Sequence, residues 1–156
     1  SATLCPPVFS QFAISDYLEN SDWRGQIRVF RDMYRVRRDT MLATLEREMP
    51  EGCSWTRPAG GFFVWVTLPE GLDASAMLPR GVNARVAFVP GPAFFADGQG
   101  SRNVRLSYCF PPPDRIAMGV ERFAQVVRGE LEILKTFGMH TPSHTNPTTG
   151  PGPDLT

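Results

Sequence analysis

The stretch Asn103-Val-Arg-Leu-Ser-Tyr-Cys109 sets a single arginine into a short apolar run. Successive side chains of a strand point to opposite faces, so Val104, Leu106 and Tyr108 share one side and Arg105, Ser107 and Cys109 the other. A guanidinium held among apolar neighbours is costly unless an anion meets it. An ordinary surface arginine on an edge strand is the alternative. Upstream, Val86-Ala-Phe-Val89 reads as a second apolar strand that stops at Pro90-Gly91-Pro92, and Phe94-Phe95 follow in the loop before Asp97-Gly98. Two adjacent phenylalanines in a loop either plug the core or line a pocket.

Downstream, Pro111-Pro-Pro-Asp114 opens a helix, since prolines are tolerated in and before a first turn. Ile116, Val120, Phe123, Val127, Leu131 and Leu134 recur at helical spacing and carry it to Phe137-Gly138. From Met139 the chain is Pro, Ser, Thr, Gly and Asn with little apolar surface to offset chain entropy, so residues 139–156 are expected to be disordered.

Toward the start, Pro6-Pro7 lead into a helix with a rough apolar stripe of Val8, Phe12, Ile14 and Leu18, stopping at Glu19-Asn20. Ser21 is placed to cap the next helix, with Asp22 in its first turn. Trp23, Ile27, Phe30, Tyr34, Met41 and Leu45 then mark one long amphipathic helix to about Met49. Its other face holds seven arginines mixed with Asp32, Asp39, Glu46 and Glu48, a pattern of helix-supporting pairs such as Asp32 with Arg28 and Arg35. That face reads as solvated rather than as a nucleic-acid stripe, and its arginine excess equally suits a partner domain.

Pro50-Glu51-Gly52 ends the helix. Cys53–Thr56, Arg57-Pro-Ala-Gly-Gly61 and Phe62–Leu68 then read as strand, turn and strand, a hairpin at the centre of the sheet. Gly60-Gly61 serves either a turn or a close approach by a ligand, with the plain turn favoured. Asp73 caps a short helix through Ala74–Leu78. The whole is an α/β sandwich, α+β-like: a mostly antiparallel sheet of about four strands with helices packed on one side.

Composition narrows the chemistry. Among 156 residues, sixteen basic and sixteen acidic side chains cancel, so no whole-chain field draws in nucleic acid or an anionic membrane. No apolar run reaches the roughly 20 residues of a spanning helix, and the chain is expected to be soluble and cytoplasmic. Cys5, Cys53 and Cys109 are odd in number and widely spaced, which disfavours disulfides and a zinc site. The two histidines, His140 and His144, both lie in the tail, so triad hydrolysis and metal catalysis lose their usual base and ligand and no metal is expected. Fifteen of the sixteen basic residues are arginine, leaving Lys135 for any amine chemistry. The chain opens on Ser1 in a Pro-containing apolar segment, as a piece of something longer would.

Four blocks, in order and spacing, resemble the C-terminal part of fold-type I aminotransferases of the 2-aminoadipate, kynurenine and valine–pyruvate group. They are Tyr34-Arg-Val-Arg-Arg-Asp39, Pro58-Ala-Gly-Gly-Phe-Phe-Val-Trp65, Val86-Ala-Phe-Val-Pro-Gly-Pro-Ala-Phe-Phe95 and Val104-Arg-Leu-Ser107. The resemblance implies an enzyme that binds pyridoxal 5′-phosphate and moves an amino group between an amino acid and a 2-oxo acid, as a homodimer when intact. It makes residues 21–138 the small domain, with 1–20 leading in from a large domain ahead of Ser1.

Carried onto this sequence, Arg105 matches the arginine that grips the substrate α-carboxylate. Phe63 matches an aromatic near the substrate side chain, and Pro90 and Gly91 the turn into the cleft. The Schiff-base lysine and the cofactor contacts belong to the large domain, so this chain is expected to hold no catalytic or cofactor-binding residue and to be inactive alone. Phe62, Phe63, Phe94 and Phe95 hint at an apolar or aromatic substrate. Arg85 stands where relatives usually have glycine. The runner-up readings are the effector-binding half of a transcription regulator built on the same domain, and an interaction module without chemistry.

Overall fold

A computed structural model describes residues 7–137. The expected disordered tail, with both histidines, and the first six residues lie outside the described residues. Helices α1 (Val8–Asn20), α2 (Trp23–Glu48), α3 (Ala74–Asn83) and α4 (Pro113–Phe137) accompany strands β1 (Ser54–Trp55), β2 (Phe63–Thr67), β3 (Val89–Pro90) and β4 (Asn103–Ser107). The sheet order is β1-β2-β4-β3 and every pairing is antiparallel. The expected sheet of about four antiparallel strands with helices on one face is therefore what forms.

Parity decides which face is which. Val66 pairs with Val104 and Val64 with Leu106, and these four are buried together with Met41 and Leu45 of α2 and Ile116, Val120, Phe123 and Val127 of α4. The alternate set, Phe63, Trp65, Thr67, Asn103, Arg105 and Ser107, lies on the opposite, open face, and none of it is buried. Burying a Val or Leu side chain contributes roughly 1.5–3 kcal/mol, so a one-residue slip in either strand would forfeit several such terms and expose the core set.

Three local expectations are corrected. Asp22, not Ser21, caps α2: its carboxylate accepts from the Gly25 amide at 2.9 Å, while the Ser21 hydroxyl turns back to donate to the Tyr17 carbonyl of α1. A carboxylate gains from the positive helix end in a way that a hydroxyl does not. The β1–β2 hairpin is not central, because β1 is a two-residue edge and the sheet's middle is β2-β4. The strand foreseen over Val86–Val89 begins only at Val89, since the Val86 amide is spent closing α3 on the Gly81 carbonyl at 2.9 Å.

That closure also explains the departure at Arg85. The Arg85 amide bonds the Val82 carbonyl and the Val86 amide the Gly81 carbonyl, the two-bond C-terminal motif whose middle residue takes the left-handed conformation. Arg85 sits there at φ 59°, a place that glycine fills without steric cost. Asp73 caps α3 as expected, accepting from the Ser75 and Ala76 amides.

Candidate active site: a stacked arginine on the open sheet face

β4 is an inner strand, paired to β2 on one side and β3 on the other, which removes the edge-strand alternative for Arg105. Its register neighbours are Trp65 and Val89. The guanidinium lies over the Phe63 ring at 4.2 Å and over the Phe94 ring at 4.5 Å. Phe94 also meets Trp65 edge-on at 5.5 Å, and Phe95 lies 6.1 Å from the same indole. The two loop phenylalanines therefore line the open face. Both stay partly exposed, so neither plugs the core.

This geometry has a chemical consequence. Two rings lie against the guanidinium, each such contact giving about 0.5–2 kcal/mol, and they restrict the directions in which its N–H groups point. Those N–H groups leave from the edge, where a carboxylate can accept two in parallel. Six other arginines, at 35, 38, 47, 57, 80 and 102, already pair with carboxylates. Among the described residues Arg105 has no such partner. Asp32 pairs with Arg35 at 2.7 Å, one of the two helix partners expected for it.

The remaining predicted site residues brace the cluster. Pro90 lies opposite Val104, hence out of phase with Arg105. Gly91 is buried, and a Cβ there would come within 2.3 Å of the Gly100 carbonyl oxygen and 2.5 Å of Asn103 Cβ. Glycine is required so that the short 3-10 turn Gly91–Phe94 can lie against β4 and deliver Phe94. Gly61 has φ 85°, which glycine adopts without steric cost, and open space where a Cβ would be. Trp65 is the site neighbour that sequence reading passed over, although its parity with Phe63 would have placed it there.

Two grooves lie elsewhere. One of about 390 Å³ runs past Arg85, Phe110, Arg115 and Arg122, and one of about 530 Å³ lies between α2 and the Gly60-Gly61 turn. Arg105 lines neither, and its own surroundings are an open face.

No family model matches the sequence. Relatives do. The chain is 41% identical over 132 residues to aromatic-amino-acid aminotransferase 1 of Thermococcus litoralis, covering 85% of this chain and 32% of that protein. This chain is a domain of the fold-type I aminotransferase family. It superposes with a TM-score of 0.73 and 39% identity on an α-aminoadipate aminotransferase of Thermus thermophilus solved with N-(5′-phosphopyridoxyl)-L-leucine, covering 81% of this chain and 32% of that one. A Bacillus subtilis protein described as an uncharacterized HTH-type transcriptional regulator is 29% identical over 119 residues, 76% of this chain and 24% of its own. The aminotransferase domain thus spans about a third of the length of the aminotransferases it matches.

Pyridoxal 5′-phosphate is the family's cofactor, and this chain's described residues do not fit it. The sole lysine, Lys135, is exposed in the last turn of α4 and belongs to no part of the Arg105 cluster. No step through the cofactor follows from these residues. What they supply is a cation with fixed orientation.

Proposed function

We propose that this chain is the substrate-carboxylate-binding, C-terminal domain of a pyridoxal-phosphate aminotransferase that exchanges an amino group between an L-amino acid and a 2-oxo acid. The observation that supports it is Arg105, its guanidinium against the Phe63 and Phe94 rings and without a carboxylate partner among the described residues. Gripping both carboxylate oxygens would fix the substrate in rotation as well as in place, the kind of positioning that proton removal from Cα requires. Pro90 and Gly91 contribute by setting the turn that presents Phe94. Phe63, Phe94 and Phe95 would border the substrate side chain and favour apolar or aromatic amino acids.

In this reading the lysine and phosphate contacts come from a large domain ahead of Ser1, the intact enzyme is a cytoplasmic homodimer, and the 156-residue chain alone transfers no amino group. The test is the intact protein with Arg105→Gln. The kcat/KM for amino acid is expected to fall by roughly 1.5–3 kcal/mol, the worth of a hydrogen bond to a charged group. Unchanged turnover would remove Arg105 from the site.

The match to a described regulator supports a second reading, in which the same pocket senses an effector. A polypeptide with a DNA-binding helix-turn-helix ahead of Ser1 and no amino-acid turnover would favour it over the enzyme.

A further inference from the structure

The loop of residues 58–62 leads straight into Phe63, and its two glycines have no packing neighbour where side chains would stand. A Cβ built on either Gly60 or Gly61 would meet nothing within 4 Å. Two residues from elsewhere do the holding. Arg38 of α2 donates through Nη1 to the Ala59 carbonyl at 3.1 Å and the Pro58 carbonyl at 3.4 Å. It is itself steadied by Asp39, which accepts from Nε at 2.8 Å and Nη2 at 2.7 Å.

Tyr108, 1% exposed, donates its hydroxyl to the Gly61 carbonyl at 2.9 Å and its amide to the Phe62 carbonyl at 3.0 Å. Burial pushes the Tyr108 phenol up, so it stays a donor. The carbonyls of Ala59, Gly61 and Phe62 are all taken, and the Phe62 ring is further met edge-on by Tyr34 at 4.9 Å. Arg37, adjacent to Arg38, donates to the Cys109 carbonyl at 2.5 Å just past β4. One turn of α2 therefore ties down both segments that meet at the Phe63–Arg105 stack.

Resting on the carboxylate-binding reading above, we infer that Tyr108 and Arg38 are positioning residues for Arg105: they hold the Pro58–Phe62 loop in the conformation that lays Phe63 over the guanidinium, and so set its affinity for substrate carboxylate. Neither touches substrate. Each acts through the loop. Removing one of these donors leaves a loop carbonyl unpaired and lets the Phe63 ring leave the arginine, whose plane is then no longer fixed.

The experiment is a double-mutant cycle in the intact enzyme with Tyr108→Phe, Arg105→Gln and both together. Tyr108→Phe keeps the buried ring and removes only the hydroxyl. It is expected to raise the amino-acid KM about fivefold, the factor carried by one neutral hydrogen bond, with kcat changed less than about twofold. In the Arg105→Gln background it should add nothing, because the residue it positions is gone. An unchanged KM in Tyr108→Phe, or the same fivefold rise without Arg105, would reduce Tyr108 to a fold-stabilising residue and overturn the inference. If Arg105→Gln itself leaves KM unchanged, the carboxylate reading fails and takes this one with it, an outcome distinct from the other two. Should Tyr108→Phe not fold, Arg38→Lys, which gives up the fork reaching two carbonyls, enters the same cycle with the same expected and overturning results.

Discussion

Arg105 differs from the other arginines by what surrounds it, not by exposure. Two phenyl rings lie against its guanidinium and, among the described residues, no carboxylate neutralises it. Lysine in its place would keep the charge and lose both the flat stacking surface and the parallel donors. Arg105→Lys is therefore expected to behave like the glutamine variant in kcat/KM rather than like wild type, measured as steady-state turnover of the intact protein. Arg85 makes a different prediction at the same scale. A left-handed non-glycine residue costs about 1–2 kcal/mol and glycine's extra chain entropy returns about 0.5–1, so Arg85→Gly should stabilise by roughly 0.5–1 kcal/mol in urea unfolding. A lower urea midpoint would show that the arginine side chain contributes more than its conformation costs. Burial pushes the Cys53 thiol up from 9.0 to about 11. The folded state then holds the proton more tightly than the unfolded chain, so this contribution to stability is complete below pH 9 and is lost as pH rises through 11. Alkylation of Cys53 at pH 8 should accordingly be slower in the native protein than in urea.

Among the elements, those whose signals are local were legible. The apolar periodicity of α4 and the alternation in β4 mark their core faces, Asp73 announces its cap, and the α2 stripe marks the core only at Met41 and Leu45, since Ile27 and Phe30 stay exposed. Asp73→Ala should cost about 1 kcal/mol, read from the unfolding midpoint, because two amides of α3 lose their acceptor. Signals that depend on partners were not legible. Nothing in Val86-Ala-Phe-Val89 reveals that the Val86 amide is claimed by Gly81 across a helix end. The hairpin pattern does not reveal that β1 is a short edge, because strand order is a property of the sheet, not of a hairpin. Arg105 itself was visible from parity and from the resemblance. The links from Tyr108, Arg37 and Arg38 to the loops around it span 20 to 72 residues, with no sequence spacing to betray them.

At the scale of the molecule, one face of the sheet is finished and the other is open. The helices cover Val64, Val66, Val104 and Leu106, while Arg105 and its aromatic neighbours are left accessible. α1 adds to this: none of its residues is buried, and Phe9 and Phe12 are 84% and 71% exposed. Apolar surface of this kind marks an interaction face. The 156-residue chain is expected to self-associate in sedimentation, and Phe9→Glu with Phe12→Glu should reduce association while leaving the melting temperature nearly unchanged, since no core contact is lost. A monomer at all concentrations would count against α1 as a docking surface.

The most direct measurement compares, in the intact protein, an amino acid with the amine that lacks only its carboxylate. Wild type should prefer the amino acid in kcat/KM by a large factor, and Arg105→Gln should shrink that preference by roughly 1.5–3 kcal/mol, close to the loss it causes with the amino acid alone. An undiminished preference in the variant would mean that the carboxylate is held by something other than Arg105.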